Sequence, residues 1–299
     1  MSHTHLESGW RAIRRGPTRR ALREASLVLT AVNIEHEVFE DAFDWYLAVP
    51  QQRAPEAVAQ LERYRLENHS PLSVPQLEEV DSGWVGVVGF LLVIWMLPTL
   101  EGNGFLGWDW RALGHLDPGA VRNGEWWRAV TALTLHADLG HLFGNSVFGA
   151  VFGLMVGRYL GSGLGWLLIL LGGTVGNLLN AAVRPEALFS IGASTATFAA
   201  VAIGSGFVWR RGYFRGGNWK RAFAPIFGGI AMLAFTGIGD DNTDIVAHFT
   251  GFGAGLVLGI AAARVNLRWL GRIGQKVCGA AAVALLLLAW MLAGGAAYG

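Results

Sequence analysis

The sequence predicts an all-α polytopic membrane protein with a small α+β soluble domain at its N-terminus. Three observations point there. Of 299 residues, 53% are hydrophobic and 15% charged, with a mean hydropathy of +0.39, so the second part of the chain cannot be a water-soluble domain. From Trp84 onward the chain holds seven apolar segments, each near the roughly 20 residues needed to cross about 30 Å of hydrocarbon. Residues 1–80, finally, carry most of the acidic groups and form a distinct compositional zone.

Within residues 1–80, Thr18 to Val32 reads as an amphipathic helix and His36–Glu40 and Asp44–Val49 as two short strands. Pro55–Asn68 reads as a second helix, with apolar Val58, Leu61 and Tyr64. This cytoplasmic domain contains no residue that looks catalytic, and its expected role is structural or regulatory. The seven apolar segments follow at 84–100, 141–158, 163–183, 192–209, 222–239, 244–263 and 277–297. A membrane domain over 81–265 and a basic linker with the last helix over 266–299 complete the division.

Charge orients these spans, because Arg and Lys are retained on the cytoplasmic side. Arg14, Arg15, Arg19 and Arg20 precede the first span. Arg158 ends the second, Arg210, Arg211, Arg215, Lys220 and Arg221 follow the fourth, and Arg264, Arg268, Arg272 and Lys276 follow the sixth. With seven spans all of these fall on one side, the N-terminus is cytoplasmic and the C-terminus lies outside. The opposite side receives Glu125, the Arg184-Pro185-Glu186 turn and the loop from Asp240 to Asp244. The polar N-terminus lacks the pattern of a cleaved signal peptide, so the first span is the expected insertion signal. The net charge of +1, with basic residues spread over loops, argues against nucleic acid as a partner. Cys278, the single cysteine, excludes an intrachain disulfide and reads as a buried structural thiol.

Two short stretches carry the chemistry: Gly192-Ala193-Ser194-Thr195 and Ala247-His248-Phe249-Thr250-Gly251. They place a serine near the start of span four and a histidine about one turn into span six, both entered from the external face and at a shared depth. A serine hydroxyl is a weak nucleophile until a base within hydrogen-bond reach takes its proton, and a neutral imidazole suits that task. The helix start beside Ser194 also offers unpaired N–H groups suited to an oxyanion. Gly192 permits close approach of a substrate, and Phe198, one turn after Ser194, can lie beside the histidine. A third cluster, His136 to Asn145, puts His141 and Asn145 on one helix face that continues through Gly149, Gly153 and Gly157. Span six repeats the device with His248, Gly251, Gly255 and Gly259.

At these residues the chain resembles the rhomboid family of intramembrane serine proteases. The resemblance covers about residues 84–265 and rests on four ordered motifs: Glu125-Trp126-Trp127-Arg128, His141 with Asn145, Gly192-Ala193-Ser194, and Ala247-His248 with its trailing glycines. It implies a six-helix bundle plus a seventh helix, and an intramembrane endopeptidase with Ser194 as nucleophile and His248 as general base. It further implies an oxyanion hole formed by His141, Asn145 and the Ser194 N–H, with Gly192, Phe198 and His136 in support. The implied substrates are single-pass membrane proteins whose helices are locally weak near the external face, with the lipid bilayer as medium and no cofactor. The expected location is a bacterial inner membrane.

Two positions depart from the family pattern. Thr195 stands where a small residue is common, and its branched side chain can crowd the oxyanion hole; Phe198 stands where many members have Tyr. Thr195 is therefore the hint for a second reading, a non-enzymatic rhomboid-like protein that binds membrane helices and controls their stability or traffic. A transporter with His248 in a proton path is a third, ranked last because spans four to six hold no acid at midspan. Simpler roles stand beside the catalytic ones. Ser194 alone suits a helix-packing hydrogen bond, His141 with Asn145 a cap, His136 a loop anchor, Asp244 a helix cap rather than a triad acid, and Trp126-Trp127-Arg128 a headgroup anchor. No metal site is expected, because His136 and His141 lack further ligands.

Overall fold

The computed structural model describes residues 9–41, 44–68, 78–185, 189–212, 219–236 and 244–296, in two compact units, 1–73 and 74–299. In the first unit the order is β1 (Trp10–Gly16), α1 (Arg19–Ala31), β2 (Glu37–Asp41), β3 (Asp44–Pro50) and α2 (Ala54–Glu67). The strands form one antiparallel sheet, order β1-β3-β2, whose core of Leu22, Leu29, Leu47 and Val49 is closed by Ala54 and Ala57 of α2. Thr18 caps α1 by accepting the Ala21 N–H at 3.3 Å. Both expected helices and both expected strands form. Strand β1 is new, and its pattern is hidden because the register shifts between Ala12 and Arg14, breaking the alternation that marks a strand. In α2 the buried row is Ala54 and Ala57 with Leu61 packed beside them, while Val58 faces solvent.

The second unit is built from seven long helices: α3 (Trp84–Gly102), α7 (Leu139–Leu160), α8 (Ser162–Val183), α9 (Ser194–Arg211), α10 (Trp219–Thr236), α11 (Ile245–Ala262) and α12 (Leu267–Ala296). The short helices α4 (Trp110–Gly114), α5 (Pro118–Arg122) and α6 (Arg128–Thr131) structure the connection between α3 and α7. Five of the long helices, α3, α7, α8, α11 and α12, are long and apolar enough to cross a membrane. Helix α9 is as long as α11 but less apolar, because its surroundings are protein: Thr195, Ala196, Thr197, Ala199, Ala200 and Ala202 are buried. Helix α10 has Lys220 and Arg221 in its first turn and contains Pro225. The chain is a multi-pass membrane protein with a mostly helical, polytopic fold and an N-terminal α+β unit. The stretch expected to be a basic linker is itself helical from Leu267 on, broken at Gly271 with φ +54°.

Small residues decide how tightly the bundle closes, since hydrocarbon gives apolar side chains no reason to leave lipid for protein. On α11, Gly251, Gly255 and Gly259 face the backbone of α9. A Cβ at these positions would strike the carbonyls of Thr195, Ala199 and Ile203 respectively. Helix α8 joins the same seam, with Gly172 and Gly173 against Ala199 and Ala196, and Gly176 against Gly251. The row on α7 serves a different purpose: Gly149 receives the Phe90 ring of α3, and Gly153 the Trp166 ring of α8. Phe90 and Trp166 stack with centroids 5.1 Å apart.

Replacement of Gly255 by Leu should therefore force α9 and α11 apart and lower the unfolding free energy by about 2–4 kcal/mol. Gly253→Ala, with nothing within 4 Å of the added carbon, should be nearly neutral. Thermal unfolding in detergent compares the two, and equal midpoints would show that the seam is not tight.

Candidate active site

The seam delivers two side chains to each other. His248 lies one turn into α11, three residues before Gly251, and Ser194 is the first residue of α9. The His248 Nε2 and Ser194 Oγ stand 2.9 Å apart, within hydrogen-bond range. His248 is buried, and the Phe198 ring, one turn below Ser194, lies against the imidazole with centroids 4.5 Å apart. The ring thus limits the rotation of the imidazole without any hydroxyl.

The start of α11 is pinned by Asp244. Its carboxylate accepts the Ala247 N–H at 3.1 Å, the Asn180 amide at 2.7 Å and the Arg184 guanidinium at 2.6 Å. Burial opposes ionisation of this carboxyl, but those three donors outweigh it and hold its pKa below the usual range. Asp244 is therefore a cap and an anchor to α8. Both its oxygens are engaged away from His248, which separates it from a triad acid. Arg184 and Asn180 were not legible as site residues, because an Arg beside a loop and an Asn in an apolar span give no sign of a common partner 60 residues away.

The strand-like stretch before Ser194 is fixed from two sides. Gly192 has φ +137° and donates its N–H to the Ala132 carbonyl at 2.9 Å. A Cβ there would sit 2.5 Å from Cε1 of His141, so glycine is needed both for the backbone angle and for the ring above it. The Ala193 N–H points at His136 Nε2, 3.4 Å away. His136 is buried, its ring meets that of His141 edge-on at 5.2 Å, and it anchors the loop as the simpler reading holds. Burial first, and the adjacent His141 second, push its pKa down to about 3.

Helix α7 supplies the opposite wall. Asp138 caps it through the His141 N–H at 2.8 Å, which sets His141 over Gly192. One turn on, buried Asn145 donates one amide hydrogen to the His141 carbonyl at 3.2 Å; an amide has two, so one is left to point elsewhere. The first N–H groups of α9 are without partners inside their own helix. Thr195 does not crowd this space. Its methyl lies in the seam, 2.8 Å from where a Cβ on either Gly176 or Gly251 would stand, so the branched side chain is a packing element between α8 and α11.

The connection expected to reach the headgroups through Trp126-Trp127-Arg128 is held from within. Arg128 is 12% exposed; it pairs with Glu125 at 2.6 Å and donates to the carbonyls of Ala112 at 2.9 Å and His115 at 3.1 Å. Helix α12 supports the same region: Trp290 Nε1 donates to Thr134 Oγ1 at 3.2 Å, and its ring meets Trp110 at 4.9 Å. Among the described residues no group of three or more His, Cys, Asp or Glu side chains is placed to hold a metal.

Comparison with known proteins gives these residues a context. Residues 123–265 match the family model of the rhomboid domain, which includes α6 to α11 and every residue of the site. The rhomboid-type protein YdcA of Bacillus subtilis (strain 168) is 27% identical over 176 residues, 58% of this chain and 86% of its own length. Rhomboid-like protease 3 of Toxoplasma gondii is 33% identical over 149 residues, 49% of this chain and 55% of the relative. The rhomboid protease GluP of Bacillus subtilis is 29% identical over 182 residues, 60% of this chain and 33% of the relative. This chain thus spans only part of the length of the last two.

The buried His136 carries a pH signature. An imidazole that titrates near 6.5 in the unfolded chain and near 3 here binds fewer protons when folded between those values, so stability is lost as pH falls below 6.5. Between pH 7.5 and 5 the His136→Gln protein should lose about 2 kcal/mol less than the parent. Nearby His141 and Asp138 titrate in both proteins and cancel. Thermal midpoints in detergent at the two pH values test this, and parallel falls would refute it.

Proposed function

We propose that the chain, whose residues 123–265 match the rhomboid domain, is an intramembrane serine endopeptidase that cuts a transmembrane helix near the external face. The observation that carries this reading is the 2.9 Å contact between His248 Nε2 and Ser194 Oγ. His248 takes the hydroxyl proton while Oγ attacks the carbonyl carbon of the scissile bond. The resulting oxyanion is received by the Ser194 N–H at the start of α9, with His141 and the free amide hydrogen of Asn145 as further donors. His248 returns the proton to the leaving nitrogen, the peptide bond breaks and an ester to Ser194 remains. Water then enters from the external face, gives a proton to His248 and adds to the ester carbonyl. Collapse of that intermediate releases the new carboxyl end and restores the Ser194 hydroxyl.

The substrate must offer an unwound stretch, because a regular helix shields its peptide bonds with its own hydrogen bonds and side chains. Single-pass membrane proteins with Gly or Pro near the external boundary fit this need. The topology read from the charges, with the N-terminal unit in the cytoplasm of a bacterial cell, opens the site toward the outside. The packing of the Thr195 methyl between Gly176 and Gly251 supports the enzymatic reading over the non-enzymatic one.

Cleavage of a generic transmembrane substrate by the purified chain in detergent should fall at least about 1000-fold in Ser194→Ala and in His248→Ala. A fluorophosphonate should label the parent and leave Ser194→Ala unlabelled. Asp244→Asn should keep most of the activity while lowering the thermal midpoint, which separates an anchor from a triad acid. An unlabelled, inactive parent protein would overturn the reading.

A further inference from the structure

Away from the site, two cavities meet at the basic end of the membrane unit. One, of about 700 Å³, is an apolar shaft between α3, α8, α9 and α12, lined by Gly89, Phe90, Trp166, Ala196, Ala280 and Val283 among others. The second, of about 1490 Å³, is polar and surrounded by the ends of α7 and α9, the chain before α3 and the start of α12. They are continuous in chemistry, since Asp81, Val85, Gln275 and Lys276 line both.

The polar cavity has more positive charge than its own acids use. Arg268 pairs with Glu78 at 2.6 Å, and Glu79 with Arg158 at 2.7 Å. Asp81 accepts from the backbone N–H of Gly83 and Ser162 and from the Ser162 hydroxyl, at 2.6, 2.7 and 2.9 Å. Arg211 lies over the Phe207 ring at 5.2 Å and donates to the Val265 carbonyl. Arg264, Arg272 and Lys276 are left facing the cavity with no carboxylate partner among the described residues.

We propose that this pair of cavities binds one anionic phospholipid, its phosphate held by Arg264, Arg272 and Lys276 and an acyl chain lying in the shaft. Dimensions agree. From Lys276 to Leu286, both lining residues, α12 rises about 15 Å, half of the roughly 30 Å hydrocarbon core and so the depth of one leaflet. The flank is at an interface, because Trp269, Ile273 and Val277 are exposed beside Arg268, Arg272 and Lys276, the pattern of a helix start lying in the headgroup layer. Basic pockets between helices at such a boundary suit lipid phosphates. The far end of the shaft reaches Thr134 and Ala193, the residue before Ser194, so an occupying chain fills the space behind the site.

Native mass spectrometry of the full chain, released from detergent with phosphatidylglycerol or phosphatidylcholine of identical acyl chains, tests this independently of any peptidase activity. One phosphatidylglycerol should be retained about tenfold better than phosphatidylcholine. The triple variant Arg264→Gln, Arg272→Gln, Lys276→Gln, whose side chains reach solvent, should abolish the preference. Gly89→Phe, which places a ring in space where nothing lies within 4 Å, should reduce retention of both lipids. Equal retention of the two lipids, a preference that survives the triple variant, or displacement by glycerol 3-phosphate alone would overturn the proposal; should Gly89→Phe fail to fold, the charge variant decides.

Discussion

The backbone-to-backbone approach of α9 and α11 is the constraint on which the rest of the membrane unit depends. Glycines at 251, 255 and 259 let one helix rest on the carbonyls of the other, with the Thr195 methyl beside Gly251. Contact at that range is intolerant of error, because any added carbon must displace a whole helix. The seam therefore does two things at once: it supplies dispersion where lipid removes the hydrophobic drive, and it sets the register that brings His248 opposite Ser194. Thr195 belongs to the seam too. A residue judged by its neighbour in sequence as a threat to the oxyanion hole proves to be a spacer between α8 and α11.

Around that seam the supports are arranged so that each end of the site is tied to a different element. Asp244 fastens the start of α11 to α8, Gly192 ties the entry to α9 to the Ala132 carbonyl, and Asp138 starts α7 at the height that lays His141 over Gly192. Behind them Arg128 gathers the long connection onto its own carbonyls, and Trp290 of α12 closes on Thr134. A change in any one of these moves a wall of the site rather than a reacting atom.

Much of this was legible in the sequence, for reasons that are physical. Apolar length gives the spans, and the described residues of the seven expected segments are mostly helical, because the backbone in hydrocarbon has few alternatives. Glycine rows at four-residue spacing announced close packing, and the Ser194, His248, His141 and Asn145 positions followed from the motifs. What was hidden lies where partners are far apart in sequence or where pattern is broken. The bulge in β1 erased its alternation, Arg184 and Asn180 share Asp244 across about 60 residues, and the helical start of α12 reads as a charged linker because Arg268, Arg272 and Lys276 recur through it. Arg128 looked like a headgroup anchor because a charge at a membrane boundary usually faces out; here the Glu125 carboxylate and the carbonyls of Ala112 and His115 make the inward position cheaper.

Among the described residues of the long helices, charge is kept toward the helix ends. An ionised carboxylate among apolar side chains would have to be stripped of water, at a cost that a single neutral partner does not offset. Among the described residues the buried polar side chains of the bundle are Ser, Thr, Asn and His, none of which needs to carry charge. The carboxylate closest in sequence to His248, Asp244, sits at the helix start, where a backbone N–H, an amide and a guanidinium compensate it fully. Phe198 packed on the His248 ring and the close backbone contacts of the seam limit how the imidazole turns, while Asp244 stays at the boundary of the unit.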